Sequence, residues 1–287
     1  MKTREEILKS IAKGNKDAGL KVISLGLGVQ STAVYLMSSM EYKMPRADVA
    51  VFADPGAEHE KTYDILDWLL EWKDKNDGIE LIVNRDRNLY QDIMDNAPLG
   101  KRFASIPAHT EERGIIRRQC TEEYKIMPVK SSIRKIYGLK PKKRMKPTEM
   151  WLWISLDEIQ RMKQSSMYNI EFFYPLIYNG MDRKDCIKFF KKNDFPVPIK
   201  SSCVFCPYHS NDFWKDLKKN KNAWDMALEV DRAIRVNPLL RQKLYIHSQC
   251  KPLDEVDLTD NQLTMEGFEC EGHCGLWQPL KILLKRI

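Results

Sequence analysis

A chain of 287 residues with 43% hydrophobic and 10% aromatic side chains has ample apolar mass for a packed core, which excludes a disordered or collagen-like protein. No apolar run reaches the ~18 residues of a membrane helix, and Met1-Lys2-Thr3-Arg4-Glu5-Glu6 offers no apolar signal core, so a cytoplasmic protein that makes no membrane contact is expected. The net charge of +7 is moderate, and its distribution says more than its size. In chain order, residues 2–14 read as a short amphipathic helix, 21–25 as a strand with the β-branched pair Val22 and Ile23, and 26–30 as a glycine-rich turn opening a helix over 31–40. A strand over 48–53 stops at Asp54-Pro55-Gly56, which cannot continue one. The periodicity then predicts a helix over 62–74, a strand over 79–83, helices over 89–96 and 121–137, and a fourth strand over 150–154. Beyond residue 180 come short helices over 182–193, 211–219 and 223–235, separated by prolines and cysteines.

Strand–helix alternation with turns at strand carboxyl ends predicts an α/β fold: a Rossmann-like open parallel sheet with flanking helices. Residues 1–180 are assigned to that nucleotide-binding layer and 181–287 to a helical, cysteine-bearing C-terminal extension. Ligands of such sheets bind outside the carboxyl ends of the strands, which places 26–31 and 54–62 on one rim.

Seven cysteines in a chain without an export signal point to metal binding or catalysis, because the cytosol keeps thiols reduced. Two spacings are short, Cys203-Val204-Phe205-Cys206 and Cys270-Glu271-Gly272-His273-Cys274. Cys186 falls inside a helical pattern and reads as core, and Cys250 carries no evident role. Seven basic residues without an acid (Arg134, Lys135, Lys140, Lys142, Lys143, Arg144, Lys146) form a run that attracts polyanions or serves as a solvated loop.

A strand, a Gly-x-Gly turn and Ser31-Thr32 opening a helix together form a phosphate-binding arrangement, since glycines let backbone N–H groups close on an anion and the helix dipole adds positive charge. It is not a Walker A loop, because no Gly-Lys-Ser/Thr follows, and the dinucleotide fingerprint lacks its third glycine. A mononucleotide or pyrophosphate remains, as does a tight βα turn with a Ser/Thr cap. Asp54 suits a magnesium ion or a ribose hydroxyl, or an Asx turn before Pro55-Gly56. Arg117, Arg118 and Lys125 flank Cys120 and would neutralise phosphate or sulfate while favouring the thiolate.

Ser24-Leu25-Gly26-Leu27-Gly28-Val29-Gln30-Ser31-Thr32 resembles the PP-loop of the adenine-nucleotide α-hydrolase-like superfamily, usually Ser-Gly-Gly-x-Asp-Ser, with Gln30 where that pattern has a carboxylate. Asp54-Pro55-Gly56-Ala57-Glu58-His59-Glu60-Lys61-Thr62 resembles the Asp-Thr-Gly…Glu-Thr segment of phosphoadenylylsulfate (PAPS) reductases. Arg118-Gln119-Cys120 through Pro128, and Tyr174-Pro175-Leu176 through Cys203 and Cys206, follow in that family's order, so the resemblance spans about residues 20–210. The resemblance implies ATP, or an adenylylated sulfate, with Mg²⁺ across the strand ends. Its ligands would come from Ser24, Gly26, Gly28, Gln30, Ser31, Thr32, Asp54, Gly56, Thr62, Arg118 and Lys125. Arg161, in Asp157-Glu158-Ile159-Gln160-Arg161, resembles a sulfonucleotide-contacting stretch, or is a helix-start salt bridge.

It also implies that Cys120, Cys203 and Cys206 ligate a [4Fe-4S] cluster. The spacing Cys203-x-x-Cys206-x-x-His209 fits a Zn²⁺ half-site as well. Cys274-Gly275-Leu276 resembles the catalytic tail of sulfonucleotide reductases, which makes Cys270 and Cys274 candidate sulfur carriers; Asp54, at the strand end, is counted with them as a candidate catalytic residue. Two chemistries follow: ATP-driven adenylation of an acceptor, such as nucleic acid, with sulfur displacing AMP, or reduction of a sulfonucleotide. The implied partners are an adenine nucleotide, a nucleic acid on the basic run, and a sulfur donor protein or thioredoxin-like reductant. A non-catalytic zinc-containing nucleic-acid-binding module is the rival reading.

Overall fold

The computed structural model describes residues 19–101, 106–112, 114–116, 118–235, 238 and 242–259. The predicted helix over 2–14 and both cysteines of the tail, Cys270 and Cys274, lie outside the described residues. Five strands build one sheet: β1 (Lys21–Leu25), β2 (Val49–Ala53), β3 (Glu80–Asn84), β5 (Thr148–Trp151) and β6 (Ile170–Phe173), in the order β3-β2-β1-β5-β6. Every neighbouring pair is parallel. A separate antiparallel pair joins β4 (His109–Thr110) to β7 (Leu244–Tyr245). This is the expected α/β class, a Rossmann-like open sheet.

Alternation along the strands explains the layers. Ile23, Ala50, Phe52, Trp151 and Phe173 face a core shared with α1 (Val29–Ser39), α2 (Glu60–Lys75) and α6 (Arg183–Lys192). Their neighbours Val22, Val49, Val51, Met150 and Phe172 face the opposite layer, where α4 (Met127–Ile136) packs through Val129 and Ile133. All eleven residues of α1 are buried, its five polar ones included, because it is wedged between the sheet and α6. A third core joins α3 (Leu89–Asn96) to α7 (Asn211–Leu217) and α8 (Lys221–Arg235), with Leu89, Ile93, Phe205, Trp214 and Val230 at its centre.

Three expectations shift. The fourth predicted strand begins two residues earlier, at Thr148, and Leu152–Ile154 run on beyond the ladder as rim. The four-residue β6 and the short α5 (Pro175–Tyr178) had no periodicity to announce them. The helix expected over 121–137 is divided into a π-helical turn, Glu122–Ile126, and α4. Pro128 explains the division, since a proline ring inside an α-helix collides with the carbonyl four residues earlier, and widening the preceding turn clears it. Among the described residues no helix is long and apolar enough to cross a membrane.

Candidate functional site

Strand order reverses between β1 and β5, and open α/β sheets bind ligands in the crevice at that switch point. Leu25 leads there into Gly26-Leu27-Gly28, and Leu27 holds φ at +59° although it is not glycine. That left-handed conformation costs about 1–2 kcal/mol and is maintained by the burial of its side chain. Gly28 is the N-cap of α1; its N–H donates to Ser31 Oγ at 3.1 Å, and Ser31 Oγ donates back to the Gly28 carbonyl at 3.1 Å. Ser31 thus closes the helix start. Thr32 is fully buried, as is Thr62 on α2, and neither hydroxyl has a hydrogen-bond partner among the described residues. No acidic residue stands in the first turn of α1, so its positive dipole end is left uncompensated there.

Three cavities follow one another along this rim. The first, about 290 Å³, is lined by Gly26, Gly28, Val29, Gln30, Trp153, Arg183, Lys200 and Ser201. The second, about 540 Å³, lies against the α4 face; it is apolar apart from Ser24 and Lys125, with Phe52, Met150, Leu152 and Phe172 on its walls. The third, about 430 Å³, carries Cys120, Cys203 and Cys206 together with Arg118 and Lys125, and among the described residues no carboxylate lines it. Gly26 belongs to the first and second cavities, Lys125 to the second and third.

The loop after β2 ties these parts together. Asp54, 5% exposed, accepts through Oδ1 from the Gly56 N–H (2.8 Å) and the Tyr63 hydroxyl (2.9 Å), and through Oδ2 from Arg85 Nε at 3.1 Å. The Asx-turn reading of Asp54 is thus what the structure displays, with both oxygens committed to holding the loop. Burial and the neighbouring carboxylate push the Tyr63 phenol well above its ordinary value, which keeps it a donor. Gly56 at φ +70° turns the chain beside Asn88, where a Cβ would lie 2.5 Å from the side-chain amide. The chain then delivers Glu58, whose fully buried carboxylate meets Lys125 Nζ at 2.9 Å and Ser201 Oγ at 3.0 Å. Two strand-like backbone contacts, the bridge Glu58–Cys203 and the Val204 N–H to Ala57 carbonyl bond of 2.8 Å, seat the Cys-x-x-Cys segment on this loop. The π-helical turn presents Lys125 to Glu58, and Tyr124 donates to Asp92 on α3.

The sequence-derived residues are only partly gathered. Ser24, Gly26, Gly28, Gln30, Lys125, Arg118 and the three cysteines line the cavities. Arg118 lies over the ring of Tyr208 at 5.3 Å. Arg161 pairs with Glu158 at 2.6 Å, the salt bridge foreseen as its alternative role. His209 Nε2 donates to the Cys203 carbonyl at 2.8 Å, and its ring stacks on Phe213 at 3.7 Å, so it braces the cysteine turn from outside the cavity lining. Among the described residues, no group of three His, Cys, Asp or Glu side chains is placed so as to hold a metal ion. What fits a thiolate-held group is the donor chemistry alone: three cysteines are among the residues lining one cavity, with Arg118 and Lys125 in the same lining to offset thiolate charge. Cys186 is core, its thiol pushed up to about 12 by burial.

Sequence reasoning passed over Glu58, Arg183, Lys200 and Ser201. Only Glu58 stood inside a quoted motif, and nothing in one dimension marks a carboxylate as fully buried. The basic run lies elsewhere: Arg134 donates to the carbonyls of Lys140 and Lys143 at 2.7 Å each, and the run ends at Lys146, just before the amino end of β5, the sheet edge opposite the rim.

No protein-family model matches the chain, and no curated protein matches it. Among solved structures it is similar to the U34-tRNA thiolase NcsA from Methanococcus maripaludis with its [4Fe-4S] cluster, at 13% identity and a TM-score of 0.38, over 96% of this chain and 88% of that one. A likeness of that degree transfers neither ligand nor activity.

Proposed function

We propose that the protein is a PP-loop-type enzyme that binds ATP across the strand ends and couples it to sulfur transfer. The observation that carries this reading is the row of three cavities at the switch point, joined at Gly26 and Lys125. The apolar cavity suits an adenine ring. The cavity at the amino end of α1, with Arg183 and Lys200, suits phosphates. The thiol-lined cavity suits a sulfur-handling centre.

In the reaction, an acceptor oxygen attacks the α-phosphorus and pyrophosphate leaves; sulfide then attacks the activated carbon and AMP leaves. The chain's own part is to bind and position. Gly26 and Gly28 admit the phosphates to the helix end, and Lys125, fixed by Glu58, supplies positive charge between nucleotide and thiols. Cys120, Cys203 and Cys206 would hold an iron–sulfur cluster, which when bound supplies an iron site for an inorganic sulfur ligand.

Stabilisation by ATP·Mg²⁺ in a thermal melt tests the nucleotide site, since a ligand binding only the native state raises its melting temperature. At Gly28 a Cβ would find its nearest neighbour, the Ser201 nitrogen, at 4.0 Å, so Gly28→Asp fits sterically and sets a carboxylate at the anion cradle. The variant is expected to melt like wild type without ligand and to lose the ATP shift. An unchanged shift would place the nucleotide elsewhere. Anaerobic purification with iron and sulfide assay tests the centre: Cys120→Ala, Cys203→Ala and Cys206→Ala should each lose it, whereas zinc without sulfide would remove the cluster from the mechanism.

A further inference from the structure

Gln30 occupies the position where the PP-loop pattern carries a carboxylate, and its side chain is 2% exposed. Its Oε1 accepts from Arg183 Nη1 at 2.7 Å, and its Nε2 lies 3.5 Å from both Ser155 Oγ and Glu158 Oε2. Glu158 is in turn held by Arg161 at 2.6 Å, and the Arg183 peptide N–H donates to Asp157 Oδ1 at 3.2 Å. The amide therefore faces a cation with its oxygen and an anion with its nitrogen. A carboxylate at this position would repel Glu158 and a cation would repel Arg183; only a neutral side chain with both a donor and an acceptor satisfies the two. Gln30 is thus spent on other side chains of the protein.

Arg183 and Lys200 both line the cavity at the amino end of α1, beside Gly26 and Gly28. Arg183 belongs to the first residue of α6 and Lys200 to the segment before Cys203, so two cations from the later part of the chain are carried onto the glycine turn. Two cations at a positive helix end match more negative charge than a monophosphate bears.

We infer that Arg183, set in place by Gln30, is the residue that selects the β- and γ-phosphates of a nucleoside triphosphate, with Gln30 a positioning residue. This deepens the ATP reading above and rests on it. The guanidinium fork binds the terminal phosphates; the base and α-phosphate lie toward the apolar cavity, out of its reach.

Calorimetric titration of the full chain with ATP·Mg²⁺ and separately with AMP distinguishes the possibilities. Arg183→Gln is expected to weaken ATP roughly ten- to a hundred-fold and to leave AMP within about three-fold, the range for losing a charge-assisted phosphate contact. Gln30→Leu should weaken ATP about three- to ten-fold, and the double variant should be no weaker than Arg183→Gln alone, because the two act as one unit. Arg183→Lys, which keeps the charge without the fork, should fall between wild type and Arg183→Gln. Equal losses for ATP and AMP, or additive losses in the double variant, would overturn the assignment while leaving the nucleotide site intact. A wild-type protein that binds neither nucleotide would sink the ATP reading itself.

Discussion

Single side chains decide how well the rim is held. The Glu58 side chain has no solvent exposure and divides its oxygens between Lys125 and Ser201. A buried pair of this kind gives little net stability, but breaking it strands a charge at a cost of about 3–5 kcal/mol. Glu58→Ala should therefore lower the urea-unfolding free energy by about 3 kcal/mol. Adding Lys125→Met should restore part of that loss; a double variant as unstable as the single would show that the stranded ammonium is not the cause. Gly56 is a second such residue. Glycine alone tolerates its φ of +70° cheaply, and a methyl group would press on Asn88, the N-cap of α3. Gly56→Ala is expected to cost about 2–3 kcal/mol, the left-handed penalty plus a weakened cap, read from the denaturation midpoint. Both residues stand in the Asp54–Glu58 stretch singled out by resemblance, yet their roles were illegible there. A sequence names a turn, but the partners of that turn, Asn88, Lys125 and Ser201, come from three other places in the chain.

At the scale of elements, β1, β2 and β3 were legible because parallel strands buried on both faces read as short apolar runs bounded by turn residues. β6 was not, because Ile170–Phe173 emerges from a polar stretch, carries Glu171 within its four residues and stops short of Pro175. The β4–β7 pair was equally hidden, two residues long, with His109 opposite Tyr245 and Thr110 opposite Leu244 from distant parts of the chain. Beside that pair, His247 is 2% exposed and hydrogen-bonds Asn211 Oδ1 at 3.0 Å. Burial, and secondarily His109, lower its pKa to about 4 from an ordinary 6.5. The unfolded chain therefore takes up a proton before the folded one, and stability is complete above the unfolded value and lost as pH falls from 6.5 toward 4. Between about pH 7 and about pH 5 the unfolding free energy should drop by about 2 kcal/mol from this residue. His247→Gln should flatten that slope, and an equally steep profile in the variant would assign the titration to other groups.

For the whole molecule, the separation of the basic run from the rim sets what a polyanion can do. Lys140, Lys142 and Lys143 are exposed on the loop that leads to the amino end of β5, whereas the cavities open at the carboxyl ends. A nucleic acid bound there is held at a distance from the strand ends. Lys140→Ala, Lys142→Ala and Lys143→Ala together should reduce the slope of log affinity against log salt for single-stranded RNA by about two units, at about 0.7 per charge. Affinity for ATP should not change. A triple variant with an unaltered salt slope would locate any RNA contact on another surface. The thiols were legible at this scale, since Cys-x-x-Cys spacing and a distant third cysteine survive as pattern. The pairing of Gln30 with Arg183 was not, because 153 residues separate them and neither is unusual in its own neighbourhood.

The third core also fixes an order of events during synthesis. The apolar face of α3 (Leu89, Ile93) is covered by Trp214, Ala227, Val230 and Ile234, which the ribosome adds well over a hundred residues later. At about 5–20 residues per second, that face waits on the order of ten seconds for its partners. Cys120 emerges during the same interval, long before Cys203 and Cys206 can join it in the lining of one cavity. A cofactor that needs all three thiols therefore cannot be completed before Cys206 has been added, and until α7 and α8 follow, the apolar face of α3 stays open to other apolar surfaces.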